Sequence, residues 1–203
     1  MSSNSNIVIE HAVITFRNFK GAKKGKFGKE GDRYFSVYLD GFDRKGHMFE
    51  DQNRIPRFKY GSDWLSPNDL IPALEKDNWP VTWTKPSEDG EYPSRPILKI
   101  KLNYYSTSNP NKPRRGPNVF TTAKDGTLTT IDEDSISQLD TIWIDDAKVR
   151  VRPYNWEEER DGVENGRISA QLQDLCIVPV EDTDDDDDFY DEYKKNPDEE
   201  MPW

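Results

Sequence analysis

Apolar and polar residues alternate along most of this chain with the two-residue period of β-strands, not the longer period of helices. The first run is residues 7–16 (IVIEHAVITF) and the second residues 33–39 (RYFSVYL). Residues 79–84, 97–105, 118–122, 142–154 and 167–180 complete the predicted strands. Helical signals are sparse. Ser66-Pro67-Asn68-Asp69 offers a cap with Pro in the first turn ahead of residues 70–76, and Pro72 should keep that helix short. Residues 132–139 carry acids in their first turn and predict a second short helix. Connections rich in Gly, Pro, Ser and Lys separate the strands, notably residues 20–31, 88–96 and 106–117. Many short strands with one or two short helices predict a mostly β fold, a small barrel or sandwich.

The same alternation sorts charge onto faces. In residues 97–105, Leu98, Ile100, Leu102 and Tyr104 share one face, and Lys99, Lys101, Asn103 and Tyr105 the other. In residues 142–154, Lys148, Arg150, Arg152 and Tyr154 oppose Val149, Val151 and Pro153. In the second strand Tyr34, Ser36 and Tyr38 oppose Phe35, Val37 and Leu39.

Net charge changes the picture because it is unevenly placed. Residues 181–203 hold twelve acids against two lysines, so almost all of the chain's net −11 belongs to them and only −1 to residues 1–180. The run of five aspartates, 184–188, cannot pack, and predicts a disordered acidic tail. It ends on the acids Asp198, Glu199 and Glu200 and the apolar tip Met201, Pro202 and Trp203, a group expected to be held out for a partner's pocket. Two stretches of the body lack acids altogether. Residues 92–124 contain seven bases with Tyr92, Tyr104, Tyr105 and Phe120 among them, and residues 17–29 contain six bases with Phe19 and Phe27. Cations that follow a phosphate backbone, interleaved with rings on which bases stack, are what single-stranded nucleic acid requires. Lysines on an outer strand face also keep sheet edges soluble. The coincidence of basic stretches, basic–aromatic faces and an acidic tail favours the nucleic-acid reading. The candidate binding residues are Phe19, Lys20, Lys23, Lys24, Lys26, Phe27, Arg33, Tyr34, Lys99, Lys101, Tyr105, Arg114, Arg115, Arg150, Arg152 and Tyr154.

Other chemistry is thinly represented. The one cysteine, Cys176, lies in an apolar stretch and rules out an internal disulfide. With only His11 and His47 beside it, no zinc-type spacing exists, and no metal or cofactor is expected. Contiguous aspartates on a mobile segment hold no fixed metal geometry, and no nucleophile motif is present, so the chain is not expected to be an enzyme. No apolar run reaches the roughly 18 residues of a membrane span, and the start MSSNSN lacks a signal peptide's apolar region. A soluble, intracellular protein with no membrane partner is expected.

Several motifs resemble those of the single-stranded DNA-binding proteins of tailed bacteriophages. Phe16-Arg17-Asn18-Phe19-Lys20-Gly21, Lys26-Phe27 and the run from Gly31 and Asp32 through Leu39 are similar to that family's opening motif. Leu139-Asp140, Ile144-Asp145, Val151-Arg152-Pro153-Tyr154-Asn155-Trp156 and Gly166 are similar to its closing motif. The likeness spans most of residues 7–180 but not residues 51–74. The acidic end with a terminal aromatic resembles the tails of bacterial and phage single-strand binders, with Trp203 where Phe is usual. The resemblance implies an OB-fold-like barrel with extra loops over residues 1–180 and a tail over residues 181–203. It further implies sequence-independent binding of single-stranded DNA in phage replication, recombination and repair, in the cytoplasm of the infected bacterial host. The tail would recruit replication or recombination proteins and compete with DNA, and a homodimer is left open. The alternative is an acidic-tailed interaction protein that imitates nucleic acid and inhibits a host enzyme. It accounts for the tail and leaves the basic–aromatic faces idle.

Overall fold

The computed structural model describes residues 5–22, 31–87, 92–105, 115–123, 125–162 and 166–180. The fold is mostly β. Among the described residues the strands are β1 (Ile7–Glu10), β2 (Ile14–Asn18), β3 (Arg33–Tyr38), β4 (Arg57–Tyr60), β5 (Asp63–Leu65), β6 (Val81–Trp83), β7 (Pro96–Leu102), β8 (Asn118–Thr122), β9 (Leu128–Thr130), β10 (Ile144–Asn155) and β11 (Ile168–Pro179). Two α-helices, α1 (Pro67–Lys76) and α2 (Trp156–Asp161), and 3-10 turns at Gln52–Arg54 and Ile136–Asp140 join them.

The strands lie in the order β2-β3-β7-β11-β10-β1-β4-β5, with β6 beside β7, and β8 and β9 beside β11. The hydrogen-bonded sheet is not closed, yet the chain brings its arms together. The predicted first strand is interrupted at His11, whose φ of 54° turns the backbone out of the extended region, and a second positive φ, 48° at Phe16, falls at the irregularity within β2. Across this bend the chain changes partners: Ala12 N donates to Ala147 O of β10 at 2.8 Å, while Val13 O accepts from Tyr38 N of β3 at 3.1 Å. The path β1/β2-β3-β7-β11-β10 therefore rolls back to its start, in the manner of a partly open OB-type barrel. The β4–β5 hairpin, α1, β6 and the β8–β9 pair are additions to it.

Inward residues follow the predicted alternation. Ile7, Ile9, Phe35, Val37, Leu98, Ile100, Val149, Val151, Leu175 and Ile177 are all fully buried. The long antiparallel pair β10–β11 runs from Ile144↔Pro179 to Asn155↔Ile168, with irregularities after Ile144 and Arg150. Helix α1 is capped by Ser66, whose Oγ accepts from Asp69 N at 3.3 Å, and packs inward through Leu70 and Leu74, both at 0% exposure. Pro72 does not cut it short. Its missing N–H forfeits one bond, and the buried Leu pair one helical turn apart holds the remainder. The second predicted helix is a 3-10 turn over Ile136–Asp140.

Candidate nucleic-acid interface

Outer-face residues form rows across the strands. Tyr34, Lys101, Gln171 and Arg152 are successive cross-strand partners on β3, β7, β11 and β10, and directly paired residues project to the same face. Beside this row lies a groove of about 490 Å³, bounded by Tyr105, Arg115, Gly116, Asn118, Arg152 and Gln171. Gln171, only 3% exposed, organises it. Its Oε1 accepts from Tyr105 Oη at 3.2 Å and from Arg152 Nη2 at 3.0 Å, which sets an aromatic ring and a guanidinium side by side.

The ring is fixed at its base as well. Tyr105 and Arg115 exchange backbone hydrogen bonds, N to O, at 2.6 and 2.8 Å. A Cβ at Gly116 would stand 2.3 Å from the Tyr104 ring, so the backbone there lies directly on Tyr104. Burial pushes the Tyr104 hydroxyl up to about 12, and the Arg33 guanidinium sits 5.3 Å from its ring. Tyr105 remains 47% exposed and Tyr154 37%. A hydrogen bond to Glu159 raises the Tyr154 pKa, and the Tyr105 hydroxyl is near enough to add to that shift. Lys101, Arg115 and Arg152 are exposed, and among the described residues no carboxylate forms an ion pair with them.

The other expected residues are placed differently. Phe19 is a correction: at 0% exposure it stacks on Phe35, centroids 5.3 Å apart, and has no surface for a base. The Asp140 carboxylate accepts from the backbone N of Phe19 and of Lys20, both at 2.8 Å, and this clamp leaves Lys20 exposed at the strand end. Tyr34 is a second correction. It is 6% exposed, with Lys99 Nζ 3.7 Å from its ring centroid, so it is covered by a cation and not open to stacking. Burial, with Lys101 nearby, lowers the Lys99 pKa. Arg33 pairs with Glu133 at 2.9 Å, and Arg150 with Asp174 at 3.1 Å. Lys23, Lys24, Lys26, Phe27, Arg114 and the tail residues Asp198 to Trp203 lie outside the described residues.

A larger groove of about 730 Å³ is lined in part by His11, Arg17, Arg44, Lys45, Arg54 and Trp143. Three of its side chains are committed within the protein. Arg17 donates to the carbonyls of Leu139 and Ile142, Arg54 pairs with Asp145, and His11 faces Asp146 at 3.1 Å. Among the described residues no three His, Cys, Asp or Glu side chains gather as a metal site would require. Gln171 escaped the sequence reading because a lone Gln in a strand carries no signal; only the β7–β11 register brings it under Tyr105.

No family model and no curated protein matches the chain. Two solved structures are similar to it over most of its length. The single-stranded DNA-binding protein from bacteriophage Enc34, in complex with ssDNA, aligns with a TM-score of 0.43 and 11% identity, covering 88% of this chain and 89% of that one. The crystal structure of gp2.5, a single-stranded DNA-binding protein encoded by bacteriophage T7, aligns with a TM-score of 0.35 and 12% identity, covering 89% and 93%.

Proposed function

We propose that residues 1–180 form a domain that binds single-stranded DNA without sequence preference and without catalysing a reaction. The observation that carries the reading is the Gln171-centred groove, where a half-exposed ring stands beside Arg152 and Arg115. Any base offers a π-face to Tyr105, while guanidinium groups pair with phosphate through two N–H donors. Lys23, Lys24, Lys26, Phe27 and Arg114 are further candidates by their charge and type alone.

Residues 181–203 act as an acidic tail that competes with DNA and recruits replication or recombination proteins through Met201, Pro202 and Trp203. Supporting this, β11 ends at Pro179, Val180 N donates to Trp143 O at 2.9 Å, and twelve acids follow in the sequence. The setting is phage replication, recombination and repair in the host cytoplasm. A gel shift with oligo-dT, using the full chain and a chain ending at Val180, tests both parts. Retardation that weakens with salt and strengthens on truncation is expected. Lack of retardation by either protein would overturn the reading and favour an inhibitor that imitates nucleic acid.

A further inference from the structure

We propose that the nucleic-acid path continues beyond the groove, across β10 and β1 onto the β4–β5 hairpin, where Trp64 is a second platform for base stacking. This rests on the reading that the groove binds single-stranded DNA. A single row of cross-strand partners connects the two places: Arg150 pairs with Val8, Val8 with Lys59, and Lys59 with Trp64. All four project outward, because Ile7, Ile9 and Phe58, the flanking positions on β1 and β4, are buried at 0–1% exposure. Strand spacing puts Trp64 about 14 Å from Arg150. Arg150 is itself two residues from Arg152 on the same strand, about 7 Å along it. Asn6 links the ends a second way, donating from Nδ2 to Gln173 Oε1 of the groove at 3.4 Å and accepting from Gly61 N in the hairpin turn at 3.0 Å.

The chemistry at the hairpin repeats that of the groove. Trp64 is 46% exposed, with the Arg57 guanidinium 4.3 Å and Lys59 Nζ 6.0 Å from its ring centroid. β5 has β4 as its sheet partner and ends the ordered series of strands, so the row runs out into solvent at the indole. Acids on this face among the described residues include Asp174, the cross-strand partner of Arg150, which pairs with it at 3.1 Å, and Glu10. Glu10 is the one beside the hairpin. It is held below the usual carboxylate range by its hydrogen bond from Lys148, and it engages Arg57 at 3.4 Å. Asp63 pairs with Tyr60, one position out of step with the row, and so projects to the opposite face. The hairpin thus offers a ring and two cations, a match for a strand of stacked bases bearing one phosphate each.

The test is fluorescence anisotropy of labelled dT oligonucleotides of about 4 and about 16 nucleotides, spanning the site sizes of such folds. W64A is expected to weaken the longer complex by roughly five-fold or more and to leave the shorter one unchanged. W64F should restore most of the loss, and R57S or K59S should flatten the salt dependence of the longer complex alone. If W64A binds both lengths as the unmodified protein does, or weakens both equally, the hairpin is off the path while the groove reading stands. Failure of the unmodified protein to bind either length would end both. Should W64A not fold, the R57S and K59S salt dependences decide the matter, and slopes unchanged on the longer oligonucleotide would refute the proposal.

Discussion

Replacing Tyr105 separates stacking from scaffolding. The ring is 47% exposed and its hydroxyl donates to Gln171 Oε1 at 3.2 Å, so the two contributions can be removed one at a time. Tyr105→Phe keeps the ring and deletes one neutral hydrogen bond, a net change of about 0.5–1.5 kcal/mol in holding the ring over the groove. Gln171 retains Arg152 Nη2 as a partner and is not left orphaned. Tyr105→Ala removes the platform, and a base stacked there contributes about 1–3 kcal/mol. The expected loss in affinity for dT is about 5- to 150-fold for the alanine variant, since about 1.4 kcal/mol is tenfold, and smaller for the phenylalanine variant. The salt dependence should not change, because no phosphate contact is lost. Titration of a labelled dT oligonucleotide at two salt concentrations reads both quantities. An alanine variant with unmodified affinity, or one whose loss is accompanied by a flatter salt dependence, would refute stacking at this position.

Three further expectations concern the scaffold. Phe19→Ala removes a fully buried ring stacked on Phe35 and should cost about 3–5 kcal/mol of stability in urea unfolding, with DNA affinity of the folded protein unchanged. Arg95 forks onto Asp40 at 2.6 and 2.9 Å, with side-chain exposures of 7% and 14%, and lies 3.7 Å over Tyr38. Asp40→Asn leaves that guanidinium without its counter-charge and should lower the unfolding midpoint by an amount corresponding to about 3–5 kcal/mol. Burial, with the hydrogen bond to Asp77 at 2.5 Å, raises the Tyr60 hydroxyl to about 12, and burial does the same for Tyr104. Both residues fold neutral and ionise more readily once unfolded. The stability they contribute is therefore full below about pH 10 and declines as pH rises toward about 12. Unfolding free energies measured across that interval should fall, and Tyr60→Phe should reduce the fall.

Much of this architecture is legible from the two-residue period. Residues 118–122 form β8 as expected, and the inward series on β7 and β10 is the apolar one, whereas on β3 the opposite residues Tyr34 and Ser36 are buried as well. The interruption at His11 was not visible, because residues 7–16 keep the composition of a strand while the backbone changes partners in the middle. The short strands β4, β5 and β9 also escaped, since runs of three or four residues carry too few alternations to stand out. Among the candidate binding residues, the exposure of Lys101, Tyr105, Arg152 and Tyr154 was readable from the alternation. Phe19 and Tyr34 went the other way for reasons that lie elsewhere in the chain. Asp140 clamps the backbone at Phe19, and Lys99 closes over the Tyr34 ring. A face assignment alone does not say what a neighbouring strand lays on top of it.

The central claim is that the groove between β7, β11 and β10 binds single-stranded DNA through phosphate contacts and stacking together. The logarithm of affinity for dT against the logarithm of salt concentration tests it most directly. Lys101, Arg115 and Arg152, each engaging one phosphate, should contribute about −2 to the slope, with every further cation contact making it steeper, and Arg152→Ser should make it shallower by about 0.7. A slope near zero, or one that Arg152→Ser leaves unchanged, would contradict the account.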